Sequence, residues 1–109
     1  MKKFLVLYHA NQDAMEFMKT ESEEAQGKEM EKWVGWMNKN ADSLVDEGNP
    51  VAGNHTMHSS GNKEEKNDIV GYCIMQGETK EEVMKLLKDQ PHLAWHSGAT
   101  MSVMEILPM

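Results

Sequence analysis

Ile69-Val70-Gly71-Tyr72-Cys73-Ile74-Met75-Gln76 is a short apolar run rich in β-branched residues, and it reads as a buried strand. Behind it, Thr79 and Glu82 form a capping box, and Val83, Met84, Leu86 and Leu87 supply an apolar face. A helix is therefore predicted from there to Asp89 or Gln90. Pro91 ends that helix or opens a short new turn. Thr100-Met101-Ser102-Val103-Met104-Glu105-Ile106-Leu107 reads as a last strand. The C-terminal half is thus strand, helix and strand.

Working back toward the N-terminus, Lys3-Phe4-Leu5-Val6-Leu7-Tyr8-His9 is a second apolar strand, stopped by Asn11-Gln12-Asp13. Residues 10–27 are mixed and acidic, with Thr20 and Glu23 spaced as a capping box and Gly27 soon after. From Glu29 to Glu47, apolar residues recur at three- and four-residue steps: Met30, Trp33, Val34, Met37, Ala41, Leu44 and Val45. That pattern predicts an amphipathic helix, ended by Gly48 and barred from continuing by Pro50. Residues 51–58 read as a weaker strand, and Ser59 to Asp68 as a solvated hairpin loop around Gly61-Asn62. The order βαββαβ with right-handed crossovers gives an α+β, ferredoxin-like fold. It has a four-stranded antiparallel sheet with both helices on one face.

The 109 residues suffice for a single domain, 1–109, with one modest core. With 18 Asp and Glu against 11 Lys and Arg, the net charge of −7 argues against nucleic acid or an anionic membrane as partner. A single cysteine allows no internal disulfide, which suits a reducing, cytoplasmic setting. The apolar run after Met1-Lys2-Lys3 is too short for a signal peptide, and no stretch approaches a membrane span.

Strand parity adds a further expectation. Phe4, Val6 and Tyr8 share one face of the first strand, and Leu5 and Leu7 the other. The strands at 69–76 and 100–107 are likewise apolar on both faces. Two helices cover only one face, and an antiparallel sheet with a wet face should alternate with polar residues. The simplest cover is a second copy of the same sheet about a two-fold axis, so a homodimer is expected, with a small-molecule ligand or another protein as the other candidate covers.

Gly71-Tyr72-Cys73-Ile74-Met75, then Glu78-Thr79-Lys80-Glu81-Glu82-Val83, and after Pro91-His92-Leu93 the run His96-Ser97-Gly98-Ala99-Thr100-Met101-Ser102-Val103-Met104-Glu105-Ile106 together resemble the YCII-related, or DGPF-domain, family. The opening Lys3–Tyr8 and the helix holding Trp36 agree with it. The resemblance implies a ferredoxin-like chain that dimerises into an α/β barrel. In members thought to be enzymes it implies a His-Asp pair acting on small molecules. There the histidine sits in the first helix, which here has none between Glu29 and Glu47, and Asp89 matches the carboxylate. Lys66-Asn67-Asp68-Ile69 stands where one branch carries Asp-Gly-Pro-Phe.

Five histidines supply the candidate proton-transfer groups: His9, His55, His58, His92 and His96. His9 ends the first strand, where a barrel pocket would open. The competing reading is an exposed strand-end imidazole. His92 and His96 share a face if Pro91 starts a helical turn, but no Cys-x-x-Cys or His-Glu-x-x-His accompanies them, and no metal site is expected. His96 also precedes the Gly98 turn of the family motif. His55 and His58 differ in parity, so they point to opposite faces.

Glu105 and Asp89 are the candidate carboxylates, each with a solvated or ion-paired role as its alternative. Asp68 reads as turn chemistry. Trp36 and Trp95 are candidate pocket-rim aromatics, with core packing as the default for Trp36. Cys73, on a core strand, reads as inert. No phosphate loop, nucleophile elbow or dinucleotide fingerprint is present.

The catalytic candidates are therefore His9, His96, Asp89 and Glu105, and the ligand-binding candidates His92, Trp36, Trp95 and His55. Two functions fit. One is a cofactor-free small-molecule enzyme of lyase, isomerase or dehalogenase type using histidine and a carboxylate. The other is a non-catalytic module binding a small ligand or a protein. The enzyme requires a histidine within hydrogen-bond reach of an acid.

Overall fold

The computed structural model describes all residues 1–109. Its elements in chain order are β1 (Lys2–Ala10), α1 (Gln12–Thr20), α2 (Glu23–Lys39), a 3₁₀ turn (Ala41–Ser43), β2 (Leu44–Asp46), β3 (His55–His58), β4 (Gly61–Glu64), β5 (Ile69–Gly77), α3 (Lys80–Leu87), α4 (Pro91–Trp95) and β6 (Ala99–Glu105). The main sheet has the order β2-β5-β1-β6, and every pairing in it is antiparallel. This is the ferredoxin-like arrangement that the element order predicts.

The helical half differs from expectation. Residues 10–27 hold a full helix and the start of another. Asn11 caps α1 by accepting from the Ala14 N–H at 2.9 Å, and Ser22 caps α2 by accepting from the Ala25 N–H at 3.1 Å. Thr20, the expected cap, is the last residue of α1.

The helix predicted over Glu29–Glu47 instead spans Glu23–Lys39. Asn40 closes it, its side-chain amide and its backbone N–H both donating to the Trp36 carbonyl. Leu44 and Val45, which continue the helical period, belong to β2. That three-residue strand is the second strand of the sheet. The predicted strand 51–58 is not in the main sheet. His55–His58 pairs with Gly61–Glu64 in a separate exposed hairpin, so the expected loop 59–68 contains a strand of its own.

Past β2 the chain keeps following β5. Gly48 takes φ 76° and lies against the Tyr72 carbonyl. The Asn49 carbonyl accepts from the Tyr72 N–H, and the Val51 N–H donates to the Val70 carbonyl. The sheet edge is therefore a strand broken by one left-handed residue.

The core lies between the sheet and the helices. Phe4, Val6, Tyr8, Cys73 and Met75 from the strands meet Trp36, Val83 and Leu87 from the helices, with Trp33, Met37, Leu44, Met101 and Val103 packed around them. The opposite face carries no helix. Register aligns Ile74, Leu5 and Met104 in one row across β5, β1 and β6, and Tyr72, Leu7 and Ser102 in the next. Leu5, Leu7, Tyr72 and Ile74 are half-buried by their neighbours alone, and Met104 is exposed. No helix is long and apolar enough to cross a membrane.

Candidate functional site

His9 follows Leu5 and Leu7 in parity, so its imidazole lies on the helix-free face at the end of β1. Two residues from distant parts of the chain meet it there. Its Nδ1 is 2.8 Å from Asp68 Oδ1, and its Nε2 is 2.7 Å from Ser102 Oγ. A carboxylate can only accept, so Nδ1–H donates to Asp68. In the neutral ring Nε2 then accepts from the Ser102 hydroxyl.

Strand register makes this meeting. A bulge between Tyr8 and His9 sets His9 opposite Ile69 and leaves Val70 as the extra residue, which brings Asp68 alongside the ring. On the other side His9 pairs with Thr100, and Ser102 is its diagonal neighbour on the same face. The Ala10 N–H donates to the Asp68 carbonyl at 2.8 Å, fixing the acid's backbone to β1. The His9 side chain is 17% exposed and that of Asp68 56%.

Beneath His9, on the helix side, His92 is buried in α4. Its Nε2–H is shared between the His9 carbonyl at 2.8 Å and the Thr100 carbonyl at 3.1 Å. It thus clips β1 to β6 at the level of the His9–Thr100 pair. Gln90 caps α4, accepting from the His92 N–H at 2.6 Å, and its amide lies 3.5 Å from the Tyr8 hydroxyl. The Tyr8 O–H donates to Cys73 Sγ at 3.3 Å. Burial raises both the Tyr8 phenol and the Cys73 thiol above their ordinary ranges, so both stay protonated at neutral pH. Cys73 is in consequence no nucleophile.

Burial also holds His92 below the ordinary histidine range, with the two carbonyls opposing the shift. Below about the unfolded value of 6.5, the unfolded chain takes up a proton that the folded chain resists, so stability falls with falling pH. His92→Gln keeps an amide donor that does not titrate. Its urea midpoint should lie below wild type at pH 7 and fall less than wild type's between pH 7 and about 5. Parallel acid limbs would remove His92 from the titration.

The other candidate residues are dispersed. His96 caps the end of α4, where its Nδ1 accepts from the Gly98 N–H at 2.8 Å and its ring meets Phe17. Trp95 Nε1–H donates to Glu21 at 2.9 Å, tying α4 to the end of α1, and the Trp95 ring stacks on His92. His55 is exposed in the hairpin. Glu105 ends β6 with Lys2 at 3.9 Å. Trp36 is buried, its Nε1–H donating to the Leu86 carbonyl. Asp89 and Trp36 border an open groove with Glu29, Lys32 and Lys39, and no histidine lines it.

Of the expected histidines, only His9 meets a carboxylate, and the carboxylate is Asp68. Neither Asp68 nor Ser102 stands out in the sequence. The available signal for Ser102 is its parity with Met104 and Ile106 on the free face. No cluster of three His, Cys, Asp or Glu side chains is placed to hold a metal ion.

The chain thus has a ferredoxin-like α+β fold with a histidine held between an acid and a hydroxyl on its open sheet. No family model matches the sequence, and no curated protein matches it. Among solved structures it is similar to a 5-chloro-2-hydroxyhydroquinone dehydrochlorinase from Burkholderia phenoliruptrix, solved in complex with 2,5-dihydroxybenzoquinone. The TM-score is 0.55 at 13% identity, covering 92% of this chain and 90% of that one. A fold of this kind therefore carries a small-molecule enzyme in at least one protein.

Proposed function

We propose that this protein is a cofactor-free enzyme acting on a small molecule by general acid–base catalysis, in a lyase, isomerase or dehalogenase type of step. His9 is the proton-transfer group, and Asp68 positions it. The observation that carries the reading is the 2.8 Å contact of His9 Nδ1 with Asp68, which leaves Nε2 as the basic nitrogen on the open sheet. A substrate proton reaches it where the substrate displaces, or bridges through, the Ser102 hydroxyl that lies on it at 2.7 Å. Paired with the carboxylate, the ring is held in one tautomer, with Nδ1–H on the acid and the lone pair on Nε2. The apolar side chains around it, Leu7 and Tyr72 above all, would exclude water from a bound ring.

The working unit in this reading is a homodimer, a second copy covering the free face of the sheet, in the manner of the YCII-related barrels that the sequence resembles. That cover would turn an open surface into a walled cleft with His9 near one end.

The test uses 5-chloro-2-hydroxyhydroquinone as probe and follows chloride release. Wild type should exceed the buffer rate, and His9→Gln should lose roughly 10²- to 10⁴-fold of the excess. Asp68→Asn should lose less, with Asp68→Glu recovering part of it. Chloride release no faster than in buffer, or unchanged in His9→Gln, would overturn the reading.

A further inference from the structure

The two contacts of His9 define more than an acid–base pair. The carboxylate takes Nδ1, and the hydroxyl of Ser102 lies on Nε2, at 2.8 Å and 2.7 Å. This is the order of groups by which a serine is made nucleophilic. The acid fixes the tautomer, and the free ring nitrogen removes the hydroxyl proton as the oxygen attacks. The three residues come from three separate strands or strand ends, and no helix or turn motif forces them together. Ser102 has no other side-chain partner, and it lies between apolar Leu7 across the ladder and Met104 along its own strand.

We propose that Ser102 is a nucleophile, and that the protein carries an acyl-transfer activity toward uncharged esters with a small apolar acyl group. The proposal shares His9 with the reading above but concerns a different bond and a different substrate class. Ser102 Oγ bonds to the ester carbonyl carbon while its proton passes to His9 Nε2. The carbonyl electron pair returns, the bond to the alkoxy oxygen breaks, and the alcohol leaves with the proton from His9. Water then repeats the sequence on the acyl-serine, releasing the acid and restoring the Ser102 hydroxyl. Ester and water are consumed, and acid and alcohol are formed.

The ester class follows from the surroundings. Leu7, Tyr72 and Met104 offer an apolar bed beside Ser102, while Asp68 and the net charge of −7 disfavour an anionic substrate. A donor for the developing oxyanion is available on the chain. The Ile106 N–H donates to the Lys3 carbonyl, so alternation directs the Ser102 N–H to β1 and the Val103 N–H away from it, along the open edge of the sheet.

A fluorophosphonate reagent tests this directly on the full chain, read by intact mass and peptide mapping. One adduct per chain should form, on Ser102, while Ser22, Ser43, Ser59, Ser60 and Ser97 stay unmodified. The rate should fall by roughly 10²-fold or more in His9→Gln and by a smaller factor in Asp68→Asn, whose exposed side chain leaves the core untouched. With p-nitrophenyl butyrate, wild type should release nitrophenol in a burst of about one equivalent followed by a slow phase, and Ser102→Ala should show no burst. Labelling scattered over surface serines, or Ser102 labelled equally fast in Asp68→Asn and His9→Gln, would overturn the proposal. The readout is independent of chloride release, so either reading can fail while the other stands.

Discussion

Gly48→Ala is expected to lower stability by more than about 3 kcal/mol and the melting temperature by roughly 10–20 °C. Two costs add. The residue sits at φ 76°, where an L side chain costs about 1–2 kcal/mol. A Cβ there would also overlap the backbone carbonyl of Tyr72, and a carbonyl in a paired strand cannot swing aside as a side chain would. Relief would pull residues 48–51 off β5, breaking the hydrogen bonds at Tyr72 and Val51. Gly53 separates the two terms. Its φ is 74°, yet a Cβ there would have no atom within 4 Å. Gly53→Ala should therefore show the backbone cost alone, about 1–2 kcal/mol. Urea denaturation of both variants beside wild type measures the difference. Equal losses would mean that the approach to Tyr72 carries no weight.

Leu5→Lys is expected to dissociate the proposed homodimer, raising its dissociation constant by roughly 10³-fold or more, about 4 kcal/mol. Leu5 is central in the row Ile74–Leu5–Met104 on the open face, so it would lie near the middle of any interface formed there. The two-fold places the change twice in one interface. Each ammonium would lose water against apolar side chains, and the two would repel. In the free chain the same lysine can lay its stem along Leu7 and keep its charge in water, so folding should be little affected. Sedimentation equilibrium at micromolar concentration, with circular dichroism to confirm the fold, decides it. A monomeric wild type, or a Leu5→Lys chain that still dimerises, would remove the second copy from the proposed cleft.

Local pattern was enough for β1, β5, β6 and α3, because each has its own apolar run and its own punctuation. The ferredoxin-like order holds although its second strand is Leu44–Asp46 and not the expected 51–58. It failed where one pattern serves two structures. Leu44 and Val45 prolong the helical period of α2, yet they lie in a short edge strand, because Asn40 ends the helix first. Gly48 reads in sequence as a helix stop. In the fold it is the point where the chain passes against Tyr72. Ser22 was hidden as a cap because Thr20, two residues earlier, offers the same chemistry.

The site divides in the same way. His9 was legible as a strand-end imidazole because only its own strand mattered. Asp68 and Ser102 reach it through the register of β1 against two other strands and through the bulge beside Tyr8. No local motif records that register. Asp89, the family-level match for the acid, ends up beside Trp36 in a groove without a histidine.

His9 and Ser102 are 93 positions apart, on a strand near the start of the chain and on one near its end. The trio therefore does not exist in a nascent polypeptide until the ribosome has released β6, and every fragment cut short of that strand lacks it. Before β6 is made the chain would be chemically silent, and the first appearance of a reactive serine during refolding would time the closing of the sheet itself.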